Sequence, residues 1–595
     1  MADRGLLDAA LAQMANNPEQ LRAVHSSGHC VVLAGPGSGK TKTLTCGIAR
    51  TLLEDIQEPR GVACITYNNE CALVLEARLA ALDVHASPNV FVGTVHGFAL
   101  SQVVAPYARC TAIDLPADFR IASWPECEEA IGDVYRELFN DGGNPKDRWR
   151  FASTKRLSQV DRMHPDWRGH NPELADFVEA YEARLRSKGL IDFDDMPLMA
   201  CRMVAANPWI LSALHAKFPV LFVDEYQDLG QPLHTLVQAI CFAAGTRLFA
   251  VGDPDQSVYG FTGANPKLLT DLAGHEEVEA IPLRFNYRCG GSIIAASMCA
   301  LGEERGYKSY GGSKGTIFFR SVTGGLANQA QYVIEALIPE FEDARIDLGR
   351  IAVLYRTAKQ GDVLAAAAAA AGVPVVRSDN QALIKRSNRF ARWVEACAAW
   401  VVDGWKVADP PFRRLASEAE SLVFGFGAAD DEVRVLQNEL IHFLTSSRDD
   451  TSSANAWLRR LKKDLVENWV VVCRVPPTEW ETINDLINRT DPASSEGDMS
   501  LGYFAGRTEG GGRLNLSTLH SAKGREFDAV VLFAMNNDVI PGYHEQKSPS
   551  AMRETRRLFY VGVTRARSHL ALVFQKGAHS PWVKELHDRL SETES

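Results

Sequence analysis

The stretch Ala34-Gly35-Pro36-Gly37-Ser38-Gly39-Lys40-Thr41 decides the fold class. It follows a short apolar run at residues 30–33 that predicts a buried strand. It precedes residues 42–54, where Leu44, Ile48, Leu52 and Leu53 recur at helical spacing. Strand, glycine loop and helix in that order make a phosphate cradle. The glycines let backbone N–H groups turn inward around phosphate oxygens, and the helix N-terminus adds partial positive charge. Ala34, Gly35, Gly37, Ser38, Gly39 and Lys42 are the expected loop contacts, Lys40 is expected to reach the β/γ-phosphates, and the Thr41 hydroxyl to hold Mg²⁺. An ordinary glycine-rich turn lacks this flanking context. A nucleoside triphosphate site follows, without indicating how the energy is used.

The 595-residue chain is long enough for about four domain-sized units. Its 46% apolar and 23% charged content is that of a globular protein, and no apolar stretch is long enough to span a bilayer. Residues 1–20 lack a signal-peptide pattern, so the expected compartment is the cytoplasm, with no membrane partner. The 12 cysteines form no C-x-x-C pair and no Cys/His cluster at metal spacing. They are expected to be reduced core residues, and no metal beyond Mg²⁺ is implied. A net charge of −11 argues against a nucleic-acid partner only weakly, because a groove can be basic on an acidic protein.

Ahead of the loop, Asn17-Pro18-Glu19-Gln20 starts a helix, and the Gln20 carboxamide could both accept from and donate to an adenine edge. Runs at 61–66, 90–95, 220–223 and 247–251 predict parallel strands, with active loops at their C-terminal ends. The fourth residue of the 220–223 run leads into Asp224-Glu225-Tyr226-Gln227-Asp228. Asp224 is placed to orient Mg²⁺ through water and Glu225 to activate the attacking water. The run ending at Val251 leads into Gly252-Asp253-Pro254-Asp255-Gln256-Ser257-Val258-Tyr259-Gly260-Phe261. Gln256 could bond the γ-phosphate, while Tyr259 and Phe261 could present ring faces to unstacked bases, worth about 1–3 kcal/mol per base.

Taken together, Gln20, the glycine loop and these two acidic segments resemble the UvrD/Rep/PcrA family of superfamily 1 DNA helicases. Thr66-Tyr67-Asn68-Asn69 and Gly93-Thr94-Val95-His96-Gly97-Phe98 are similar to its single-strand-contacting motifs, which implies base stacking at Tyr67 and a phosphate near His96. Ile191-Asp192-Phe193-Asp194-Asp195-Met196 is similar to the segment that re-enters the first motor domain. Asn286-Tyr287-Arg288 resembles the motif whose tyrosine stacks on adenine and whose arginine reaches the γ-phosphate.

Strand-like runs recur at 316–319, 350–355, 373–376, 514–519, 529–533 and 569–574, a second motor domain with no glycine loop of its own. Residues 516–527 and 558–567 resemble the last two helicase motifs. That match implies DNA contacts at Thr518 and His520, a ribose contact at Glu526 and an arginine finger at Arg565, completing the site with Arg288.

The resemblance implies an α/β fold of two RecA-like parallel-sheet motor domains, each with a mostly helical insertion. The first comprises 1–99 and 191–285 with an insertion at 100–190, the second 286–387 and 508–595 with a shortened insertion at 388–507. It implies an ATP- and Mg²⁺-dependent motor moving 3′ to 5′ on single-stranded DNA and at single-strand/duplex junctions. Thr262, Glu70 and Arg525 depart from the pattern, the first two by removing positive charge from the presumed DNA track. Two alternatives stay open. One is a DNA-end-sensing regulatory ATPase acting with a nuclease or repair partner, as in Gabija-type anti-phage systems. The other is a P-loop enzyme unrelated to nucleic acid.

Overall fold

The computed structural model describes every residue except 1, 114, 116–118, 140, 261–262, 387, 405, 409, 425–427, 449–452, 474–479, 495–498, 507–510 and 595. The chain forms two compact units: Met1–Cys289 with Glu304–Gly312, and Gly290–Glu303 with Ser313–Ser595.

In the first unit β1 (His29–Ala34), β2 (Val62–Thr66), β3 (Val90–Thr94), β4 (Val220–Val223), β5 (Arg247–Gly252) and β6 (Val278–Leu283) form one sheet in the order β3-β2-β4-β5-β1-β6. Every neighbouring pair is parallel. The near-continuous apolar runs have a direct cause, because successive side chains of a strand point to opposite faces and both faces are covered. Val31, Ala63, Ile65, Leu221, Val223, Leu248 and Ala250 enter one core. Cys30, Val32, Val62, Cys64, Val220, Phe222, Phe249 and Val251 enter the other.

Strand β6 lies outside the runs expected to form strands. Its Pro282 argues against a strand, since proline cannot donate to a ladder. The strand lies at the sheet edge, where only alternate N–H groups face a neighbour and a proline is tolerated, and it pairs with β1 from His29↔Val278 to Ala34↔Leu283.

The second unit holds β7 (Thr316–Val322), β8 (Ile351–Tyr355), β9 (Val375–Arg377), β10 (Leu514–Thr518), β11 (Phe527–Leu532) and β12 (Ala566–Gln575), all parallel, in the order β7-β12-β11-β8-β10-β9. Both sheets carry helical excursions with cores of their own. Between β3 and β4, Trp124–Leu138, Pro145–Ser158 and Pro172–Ser187 close on Ile131, Val134, Trp167, Phe177 and Tyr181. Between β9 and β10, helices from Arg389–Asp403 to Thr482–Arg489 surround Trp393, Trp400, Trp457, Trp469 and Trp480. The fold is α/β, with two parallel sheets interrupted by helical insertions. Among the described residues no helix is long and apolar enough to cross a membrane.

Candidate nucleotide site and nucleic-acid interface

In the first unit the loops after β1, β4, β5 and β6 leave the same edge of the sheet. After β1, Gly37 at φ 67° and Gly39 at φ 84° adopt the left-handed backbone that turns the loop into the helix Lys40–Arg50. A Cβ on Gly37 would lie 2.6 Å from the Arg288 Cβ, and one on Gly39 would lie 2.4 Å from the Gln20 Nε2. The Ser38 hydroxyl donates to the Gly35 carbonyl at 2.7 Å. Lys40 Nζ donates to the carbonyls of Ala34 at 2.9 Å and Gly35 at 3.2 Å, while Lys42 Nζ turns away to Gln13 at 2.7 Å. Thr41 is half-buried at the helix start.

Asp224 follows β4 and is 4% exposed. Its Oδ1 has no hydrogen-bond partner among the described residues. Burial, then the Glu225 carboxylate, push its carboxyl up to about 7 against the pull of Lys40. A buried orphan carboxylate beside a second acid fits a divalent cation, which would relieve both penalties. Glu225 stands at φ 51°, a conformation rare for a side chain of its size, and its carboxylate accepts from Gln227 Nε2. Gln227 Oε1 in turn accepts from the Asp253 backbone N–H at 2.9 Å, tying the loop after β4 to the loop after β5. Gln227 carries no expected role from its place in the sequence. Gln256 is buried and donates to Asp253 Oδ2 at 2.6 Å. Burial raises the Asp253 carboxyl to about 6 even though Lys40 opposes it.

The unexpected β6 delivers Asn286-Tyr287-Arg288 to the glycine loop. Tyr287 N–H donates to Gly37 O at 2.8 Å, and Asn286 Nδ2 to Pro36 O at 2.7 Å. The Tyr287 hydroxyl accepts from Asn17 at 2.9 Å and donates to Gln20 Oε1 at 3.2 Å, while Gln20 Nε2 donates to Thr43 Oγ1 at 3.0 Å and Ser38 O at 3.3 Å. Gln20, Tyr287, Arg288, Lys40, Asp224, Glu225 and Gln256 therefore surround one loop edge.

Of the expected nucleic-acid contacts, Tyr67, His96 and Tyr259 follow β2, β3 and β5, while Thr518 and His520 belong to the second unit. Tyr67 and Tyr259 stack with ring centroids 5.9 Å apart and planes 23° off parallel. His96 stacks on Phe193 at 4.1 Å, and Phe193 is 56% exposed, a ring the sequence reading left unassigned inside the re-entry segment. Phe193 carries no local signal, because its partner His96 lies far away in the chain. Phe261 and Thr262 lie outside the described residues.

Burial holds His96 down at about 4, and burial together with Arg356 does the same for His520 in the second unit. These rings stay neutral while the unfolded chain protonates near pH 6.5. Their contribution to stability is therefore present above pH 6.5 and lost as the pH falls toward 4. Thermal unfolding between pH 8 and pH 4 reads this loss, and His96→Asn flattens the profile.

In the second unit, Thr518 Oγ1 donates to Ser521 at 2.9 Å. Glu526 pairs with Arg567. Arg565 is 1% exposed and donates to Val561 O at 3.0 Å, Arg525 O at 3.2 Å and Thr564 Oγ1 at 3.2 Å. Arg525 has a structural use, because its guanidinium bonds Asn515 Oδ1 at 2.7 Å and Ser378 Oγ at 2.9 Å and packs 4.7 Å from the Phe527 ring centre.

Two family models match this chain, the UvrD/REP helicase N-terminal domain over residues 16–276 and the UvrD-like helicase C-terminal domain over residues 447–577. The chain belongs to the UvrD/Rep helicase family. Similar UvrD/Rep relatives extend along nearly the whole chain. The ATP-dependent DNA helicase UvrD1 of Mycobacterium tuberculosis (strain ATCC 25618 / H37Rv) is 25% identical over 93% of this chain and 81% of its own length. The ATP-dependent DNA helicase Rep of Buchnera aphidicola subsp. Acyrthosiphon pisum is 23% identical over 94% and 95%, and the DNA helicase II of Salmonella typhimurium is 25% identical over 97% and 86%.

Proposed function

We propose that this protein is an ATP-dependent DNA helicase that moves 3′ to 5′ on single-stranded DNA. The observation that carries the reading is the loop after β5. Gln256, bonded to Asp253 at the nucleotide edge, lies three residues before Tyr259, which stacks on Tyr67. One short segment thus joins a phosphate-sensing amide to a base-stacking ring. Gln227 bonds both the Glu225 carboxylate and the Asp253 backbone N–H, so the loop after β4 is tied to the segment that carries Gln256 and Tyr259.

In this reading Glu225 takes the proton of the attacking water. Lys40 leaves the Ala34 and Gly35 carbonyls for the phosphates, and Arg288 stabilises the developing phosphoryl charge. Thr41 and Asp224 would hold Mg²⁺, which when bound supplies charge neutralisation at the phosphate oxygens. The family resemblance assigns Arg565 the finger role and Glu526 the ribose role. Single-strand stacking is indifferent to base identity, as a motor requires.

The test is steady-state ATPase without nucleic acid, with single-stranded DNA and with blunt duplex, alongside strand displacement on 3′- and 5′-tailed duplexes. Single strands are expected to stimulate hydrolysis, with displacement only from the 3′ tail. Hydrolysis indifferent to DNA overturns the helicase reading, and displacement from the 5′ tail overturns its direction.

A further inference from the structure

Residues Glu304–Gly312 belong to the first compact unit, although the chain on both sides of them belongs to the second. They form a strap along the nucleotide edge. Its strand Lys308–Ser309 pairs in parallel with Phe285–Asn286, directly before Tyr287. Arg305 grips Asp255 through two bonds of 2.7 and 2.9 Å. The Tyr307 ring lies so close to Gly35 that a Cβ there would be 2.5 Å from its Cζ. Tyr310 packs its ring on Tyr287, with centroids 4.5 Å apart at 44°, and its hydroxyl accepts from Asn16 Nδ2 at 3.1 Å.

The carboxamides before the glycine loop are thus matched to two tyrosines: Asn16 to Tyr310, and Asn17 and Gln20 to Tyr287. Tyr287 is 40% exposed, so the hydroxyl bonds anchor one end of its ring, and the ring contact with Tyr310 restrains the tilt of its plane. We propose that Tyr310 is a positioning residue of the nucleotide site, setting the plane of Tyr287 on which the base of the nucleotide stacks. This rests on the reading of the site as an ATP site. Tyr310 acts through Tyr287 and touches no reacting group. It governs nucleotide affinity, with no part in the hydrolytic step.

The experiment uses the full chain, the fluorescent probe N-methylanthraniloyl-ATP and the ATPase assay. Tyr310→Ala is expected to weaken probe binding and raise KM for ATP by about three- to tenfold, the range for an aromatic pair, with kcat retained. Tyr310→Phe keeps the ring and is expected to stay within about twofold of the parent. In a Tyr287→Ala background, Tyr310→Ala is expected to add no further loss, which a general packing defect would not reproduce. If Tyr310→Ala does not fold, Tyr310→Leu fills the space without the ring and is expected to show the same KM effect. Unchanged affinity in a folded variant lacking the ring, or full additivity with Tyr287→Ala, overturns the assignment. A parent protein that binds no probe overturns the ATP-site reading and the assignment with it.

Discussion

Glu225→Gln is expected to lower steady-state ATP hydrolysis by about 10²–10⁴, the worth of a positioned general base, while leaving ATP binding in place. The separation of the two effects follows from local geometry. Glu225 is held in the left-handed region at φ 51°, and its carboxylate is anchored by Gln227, whose other amide atom accepts from the Asp253 N–H. Backbone strain of this kind costs of the order of 1–3 kcal/mol and persists where surrounding bonds over-determine it. Glutamine has the same length and its Oε1 can still accept from Gln227, so the loop keeps its shape. The substitution removes the proton acceptor and one negative charge beside Asp224. With that repulsion gone, the Asp224 carboxyl is expected to ionise more readily. Steady-state turnover and equilibrium nucleotide binding, measured on the same preparation, check this. Wild-type turnover removes Glu225 from the role, and lost binding makes it a structural member of the loop.

Arg156→Leu is expected to destabilise the first unit by about 3–5 kcal/mol, the cost of breaking a buried ion pair by removing one partner. The Arg156 side chain is fully buried. Its guanidinium reaches Glu182 at 2.8 Å, Asp192 at 2.7 and 3.1 Å, and Asp195 at 2.7 Å. Three elements meet there: the insertion helices Pro145–Ser158 and Pro172–Ser187, and the segment by which the chain returns to the sheet. Removing the guanidinium leaves the carboxylates of that segment short of charge compensation, with Arg186 at 2.9 Å from Asp195 and the Tyr181 hydroxyl at 2.9 Å from Asp192 still in place.

Burial raises the Glu182 carboxyl, but Arg156, Arg202 and Arg162 outweigh it and hold the group at about 2. Its contribution to stability is present above the unfolded value near 4.5 and lost as the pH falls toward 2. In Arg156→Leu that acid-labile part shrinks. Denaturant unfolding of parent and variant at pH 7 and pH 3 measures both effects, and a midpoint unchanged at pH 7 defeats the prediction. Arg156→Lys keeps the charge but cannot form the two-pronged contact with Asp192, so it is expected to recover only part of the loss.

The sequence by itself determined the two parallel sheets, because a strand buried on both faces must be apolar at nearly every position, and β2 and β4 are buried throughout. It also determined the turn of the glycine loop, since Gly37 and Gly39 adopt backbone angles that glycine alone takes readily. The pairing of Asp224 and Glu225 was legible for a similar reason, because acids at the end of a buried strand stand out against it.

Only the tertiary structure decided what lies beside these elements. Strand β6, which contains Pro282, pairs at the sheet edge with β1 and carries Tyr287 and Arg288 to the glycine loop. Gln227 carries no local signal, since its bridge joins loops 26 residues apart in the chain. Arg156 carries no local signal of burial, because its carboxylate partners arrive from 26 to 39 positions away. Tyr310 meets Tyr287 because an irregular segment returns as a two-residue strand paired with Phe285–Asn286. Local spacing encodes hydrophobic period and backbone freedom, whereas hydrogen bonds and ring contacts between distant segments depend on where the folded sheet puts them.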